Sequence, residues 1–159
     1  MKNSEVEAIL KFYKDIDIDI KVASEWLEQY EEQYNTVGAI IYDGMPKGNN
    51  LSDSTASLAI ALSQTDIKES IDNLTKRVRE LKKLRTEILK EISTLKPIHK
   101  IIIDGFYIKG QKWEQIGERI NYSVRQSKNI RCVALTVLGS KIARNKNITQ
   151  SKIIAEIIE

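Results

Sequence analysis

The chain has 159 residues, of which 42% are hydrophobic, 30% charged and 6% aromatic, with 7 Gly, 2 Pro, 1 Cys and 1 His and a formal net charge of +3. This is the length of one ordinary domain or two small ones, with enough apolar residues for a core and too few Gly and Pro for a loop-rich all-β fold. The lone Cys132 excludes an intramolecular disulfide framework and a Cys-based zinc site, and with His99 as the only imidazole, Ser-His-Asp and Cys-His catalysis lose their raw material. No run approaches the roughly 20 apolar residues of a membrane span. The opening MKNSEVEA is polar and acidic, unlike a secretory signal, so the expectation is a cytoplasmic protein with no membrane partner.

From Val6, apolar residues recur at Ile9, Tyr13, Ile16, Ile20, Ala23, Leu27, Tyr30 and Tyr34 in alternating steps of three and four, a heptad seam. Within it, Asp15 to Ile20 also alternates with period two. Helical periodicity on both sides and the absence of a turn residue favour helix there. The acidic residues Asp15, Asp17, Asp19, Glu31 and Glu32 are scattered around a helix axis with no loop Gly to gather them, so they read as a solvated face rather than a metal site. From Asn35 to Asp53 the period breaks at Gly38, Asp43-Gly44, Met45-Pro46, Gly48 and Asn49-Asn50, which predicts a linker; Ser52 and Asp53 are both able to cap the next helix.

A second heptad run passes through Ile67, Ile71, Leu74, Val78, Leu81, Ile88, Ile92 and Leu95, with Arg85 at the seam position where an apolar residue is expected. Such a helix is about 45 Å long and cannot be buried alone. The two rods pair either with each other, as a hairpin folded across the linker, or with a second copy in a coiled coil; both bury the same residues.

Pro97 ends or kinks the second rod. Beyond it Ile98, Ile101, Ile102, Phe106 and Tyr107 predict a short helix closed by Lys109-Gly110, and Trp113, Ile116 and Ile120 share one face of the next. Asn121 suits a left-handed helix end, and Ser123 caps a longer helix that Gly139 is expected to stop after Leu138. In that helix Ser127, Ile130, Ala134 and Leu138, with Leu135, make the inward stripe. Val124, Arg125, Gln126, Lys128 and Asn129 face outward, with Arg131 at the margin. Helix, three-residue turn, capped longer helix is the layout of a helix-turn-helix. Arg and Lys donate to guanine O6 and N7, and Gln and Asn pair with adenine, so the outward face is equipped to read a major groove.

Charge supports this reading. Residues 1–62 carry 5 basic and 11 acidic side chains, whereas residues 96–146 carry 11 and 3, a net +8 that attracts polyanions.

Residues 95–138, with Tyr-Ile-x-Gly before a Trp-Glu-x-Ile helix, a Tyr-Ser turn and a helix ending Ala-Leu-x-x-Leu, resemble region 4 of bacterial sigma factors. The whole chain, with its long N-terminal helices and the linker from Tyr42 to Pro46, is similar to the sigma-like late-gene activators of Gram-positive prophages, of the ArpU and RinA type. The resemblance implies promoter reading by Val124, Arg125, Gln126, Lys128 and Asn129, and phosphate contacts near Lys112 and Trp113. Nothing in the chain resembles sigma region 2, which engages core polymerase, so the resemblance implies an accessory activator that recruits RNA polymerase in a bacterial host.

The expected architecture is therefore all-α: residues 1–95 as a hairpin or coiled coil with a linker at about 35–53, residues 96–139 as the helix-turn-helix, and residues 140–159 as a helical tail. In the tail Ile153, Ile154, Ile157 and Ile158 form a ridge after a cap at Thr149, facing Val133 and Val137 or a further subunit. The expected DNA-binding set is Lys112, Trp113, Ser123, Val124, Arg125, Gln126, Lys128, Asn129 and Arg131, with Lys109 and Arg119 as further phosphate contacts. Trp113 doubles as a core anchor beside Ile116 and Ile120. Two alternative roles compete: a small terminase-like DNA-packaging subunit, and a module that binds polymerase or a sigma factor without touching DNA. No nucleophile–base pair, phosphate loop or carboxylate constellation points to an enzyme or a cofactor.

Overall fold

The computed structural model describes residues 1–42 and 54–158, so Ser52, Asp53 and linker residues 43–53 lie outside the described residues. Every described element is helical: α1 (Asn3–Tyr42), α2 (Ser54–Ser93), α3 (Pro97–Ile103) running into a π-turn (Asp104–Ile108), α4 (Trp113–Ile120), α5 (Val124–Arg144), α6 (Lys146–Thr149) and α7 (Lys152–Ile158). The protein is all-α, and the ambiguous Asp15–Ile20 stretch is helix. Among the described residues no helix is long and apolar enough to cross a membrane.

The two long helices exceed expectation. Each has 40 residues, about 60 Å at the usual rise. The expected break at Asn35 does not occur, and α1 continues to Tyr42. One glycine inside a helix costs only about 1 kcal/mol, too little for Gly38 to terminate a rod already more than thirty residues long.

Contacts divide the chain into two compact units, residues 19–80 and residues 1–18 with 81–159; their boundaries fall inside α1 and α2. In the 19–80 unit the two seams are each other's only described apolar neighbours. Ala23 and Val78 are buried, while Ile20, Leu27, Tyr30, Tyr34, Ile67, Ile71 and Leu74 are half-buried, as two helices without further cover must leave them.

The other unit has a true core. Val6, Ile9, Leu10 and Ile16 of α1 are buried, as are Leu81, Leu84, Ile88 and Ile92 of α2. Leu84, not Arg85, occupies the seam there. A straight helix turns 3.6 residues at a time, so the apolar line drifts off a strict heptad, and Arg85 swings outward to pair with Asp17 at 2.7 Å.

Pro97 sits in the first turn of α3, where its missing amide costs nothing. After Ile103 the helix widens: Lys109 N donates to Asp104 O at 2.9 Å across five residues. This replaces the regular helix end expected at Lys109-Gly110, with Gly110 at φ +64° closing the turn. Gly139 does not stop α5, which runs to Arg144. It is buried, and a Cβ there would lie 2.9 Å from Val6 Cγ2, so its role is to let α1 pass close across α5.

The tail packs inward. Ile148, Ile153 and Ile154 are buried with Ile142, whereas Ile158 and Val133 are exposed. Thr149 ends α6 rather than capping α7; its hydroxyl donates back to Asn145 O at 3.2 Å. Asn145 ties this end to α2. Its side-chain amide donates to Glu87 at 2.9 Å and Glu91 at 2.8 Å, and its side-chain oxygen accepts from Asn147 N at 3.1 Å as the α6 cap.

The Asn145 bond holds the Glu87 carboxyl below its ordinary pKa, so the stabilisation is present above that ordinary value and is lost as pH falls through the depressed one. Asn145→Ala is expected to cost about 0.5–2 kcal/mol through the lost cap. The same variant flattens the acid side of the stability–pH curve, which urea titrations at neutral and acid pH measure.

Candidate nucleic-acid interface

The turn between α4 and α5 is built by three local devices. Asn121 adopts φ 57°, ψ 43°, the left-handed conformation expected of it, and reverses the chain. Tyr122 N then donates to Gly117 O at 3.0 Å. Ser123 caps α5: Gln126 N donates to its hydroxyl oxygen at 3.3 Å, and Ser123 N donates to Gln126 Oε1 at 3.1 Å, a reciprocal capping box.

The cap of α4 is Lys112, whose N donates to Gln115 Oε1 at 3.1 Å. Gln126 is exposed as expected, but its carbonyl oxygen is committed to the cap, which leaves its amide nitrogen as the outward group.

Two small residues set how closely α4 and α5 approach. A Cβ on Gly117 would lie 2.7 Å from Tyr122 O and 3.7 Å from Ser127 Oγ, and both residues are buried. Ser127 satisfies its hydroxyl by donating to Ser123 O at 2.9 Å. The inner stripe is as expected, with Ala134, Leu135 and Leu138 buried and Ile130 half-buried. Behind it Ile102, Ile116 and Ile120 form a small core closed by Ile101, Phe106, Trp113 and Ile130. Trp113 stacks on Phe106 at 4.5 Å between centroids, which makes it a wall of this core.

Arg125, Gln126, Lys128 and Asn129 are all exposed, and Val124 is half-buried beside them. Arg125 and Asn129, four apart, share one line of α5, with the free thiol of Cys132 exposed on the following turn. Lys112 and Arg119 are exposed on α4. Among the described residues none of Lys112, Arg119, Arg125 and Lys128 is in an ion pair, whereas Lys109 is engaged with Asp104. Four uncommitted cations therefore surround the start of a helix whose N-terminal amides carry partial positive charge.

Arg131 departs from its expected place at the margin. Seven residues after Val124, it points to the inner side, where its guanidinium lies 3.6 Å from Glu7 Oε1, 3.4 Å from the Tyr107 hydroxyl and 5.8 Å from the Phe106 ring centroid. Tyr107 donates to Glu7 at 2.8 Å, and burial together with this bond pushes its hydroxyl pKa well up. A neutral hydroxyl thus links a carboxylate on α1 to a guanidinium on α5. Glu7 and Tyr107 had no signal in the sequence as a pair, since a hundred residues separate them. Thr136 of α5 likewise donates to Asn3 of α1 at 3.3 Å, so the start of α1 braces α5 at two levels.

No family model, curated protein or solved structure matches the chain.

Proposed function

We propose that α4, its turn and α5 form a helix-turn-helix, that α5 enters the major groove of double-stranded DNA, and that the protein is a sequence-specific transcription regulator. The observation that carries this reading is the division of α5: one side is locked into the core through Ser127, Ala134, Leu135 and Leu138, while Arg125, Lys128 and Asn129 stand exposed and unpaired among the described residues at its capped start. A reading helix needs both, a rigid seat and free donors.

Arg125 and Asn129 read base edges, with Lys128 and the Gln126 amide beside them. Lys112 and Arg119 contact phosphates and fix register. Arg131 is a brace within this assembly, Ser123 its cap and Trp113 its wall. The likeness to sigma region 4 and to prophage late-gene activators supports a role in recruiting RNA polymerase to a promoter rather than melting it.

The test is binding to duplexes selected from a random pool, followed by fluorescence anisotropy across a salt series. Arg125→Ala is expected to cost about 1–3 kcal/mol and to relax preference at one base position, whereas Lys112→Ala weakens all sequences alike and lowers the salt slope by about one. Affinity and preference both unchanged in Arg125→Ala would assign the reading face elsewhere. No DNA affinity at low ionic strength would leave polymerase or sigma-factor binding as the role.

A further inference from the structure

The 19–80 unit has a face that nothing in the chain covers. On α1, Val22, Trp26, Gln29, Gln33 and Val37 follow one another in steps of three and four and so share one side of the helix, rotated away from the Ile20–Ala23–Leu27 line that meets α2. Val22 is 39% exposed and Trp26 55%. Further along, Gln29, Gln33 and Val37 face Ser63 and Ile67 of α2 across an open cleft of about 580 Å³, in which Glu32 is the only charged lining residue. By helical projection Lys21, Glu28 and Glu31 on α1 and Lys68, Asp72 and Arg79 on α2 fall on the opposite side of the hairpin. One side is thus charged and the other nearly neutral, with an indole standing out of it.

We propose that this neutral side is the docking surface for a second copy of the same chain, two hairpins closing into a four-helix bundle about a two-fold axis. Charge chooses this occupant. In a two-fold interface each surface meets itself, so a surface dense in one sign repels its copy, whereas amides and hydroxyls such as those of Gln29, Gln33 and Ser63 donate and accept at once and satisfy their own image. Area permits it. From Asp19 to Val37 the helix runs about 27 Å, and two helices are about 20 Å wide, giving a total of about 1,100 Å² buried over both copies, above the roughly 1,000 Å² a specific interface requires. Trp26 supplies the aromatic anchor that such interfaces concentrate. The surface is distinct from the heptad seams, which each hairpin closes within one chain, and the inference holds whether or not the protein binds DNA.

Sedimentation equilibrium of the full chain over a dilution series tests it. The expected result is reversible association to twice the 18.2 kDa chain mass. Trp26→Glu and Val22→Glu are each expected to weaken association at least tenfold with unchanged far-ultraviolet circular dichroism, and Lys21→Glu, on the charged side, to leave it intact. A second readout needs no change in the surface itself: in a Trp113→Phe background, Trp26 emission shifts to the blue and loses acrylamide quenching as the protein is concentrated. A chain that sediments as a monomer throughout, a dimer that survives both glutamate variants, or Trp26 emission independent of concentration would overturn the proposal.

Discussion

Replacing Ile116 by alanine is expected to lower the unfolding free energy of the unit that carries α4 and α5 by about 2–5 kcal/mol. Ile116 is fully buried between Ile102 of α3 and Ile120 of α4. Alanine removes three carbons from a site whose walls come from separate elements. Those walls are pinned: Trp113 by its stack on Phe106, and α5 by the Ser123 cap and its close seat on Gly117. A pinned wall cannot collapse into the hole, so the cost includes the cavity as well as the lost transfer free energy. Urea titration followed by Trp113 fluorescence in a Trp26→Phe background reports this unit alone. A loss below about 1 kcal/mol would mean that the walls relax freely, contrary to the packing described here.

The second large effect runs against helix propensity. Gly117 lies inside α4, where alanine is ordinarily about 1 kcal/mol better than glycine. Here the added methyl would stand 2.7 Å from Tyr122 O, a backbone atom of the turn that cannot rotate away. Either α4 and α5 move apart or the Asn121–Ser123 turn distorts. Gly117→Ala is expected to destabilise by about 1–3 kcal/mol rather than stabilise. Because the strain falls on the joint that aims α5, DNA affinity is expected to fall further than in Ile116→Val, a mild core variant used as control. Paired urea and anisotropy measurements decide it; a Gly117→Ala protein of wild-type or greater stability would show that the two helices approach less closely than described.

These two residues also show where reading along the chain stops. Ile116 was legible because Trp113, Ile116 and Ile120 repeat at helical spacing, and any such face in a 159-residue chain must find cover. Gly117, next to it, read only as an interruption. Its importance comes from an atom five residues later, brought near by a left-handed Asn121. Gly139 misled in the opposite way: glycine near a helix end signals termination when only the local chain is considered, yet α5 continues because the absent side chain admits Val6 of α1. Arg131 is similar. Its charge and its place in a basic block pointed to DNA, but Glu7 and Tyr107 provide a half-buried partnership that a one-dimensional charge count cannot detect.

What the amino-acid order by itself determined is the helical content, the inward stripe of α5, the Asn121 turn and the Ser123 cap. All of these rest on interactions within about four residues, where spacing and side-chain chemistry act without knowledge of the rest of the chain. Only the tertiary structure decided that Leu84 rather than Arg85 fills the seam, that the first turns of α1 brace α5 through Glu7 and Asn3, and that one side of the 19–80 hairpin is left uncovered. The physical reason is that such features depend on which distant surfaces meet, and many arrangements bury the same apolar residues equally well; close packing of side chains, not their sequence period, selects among them.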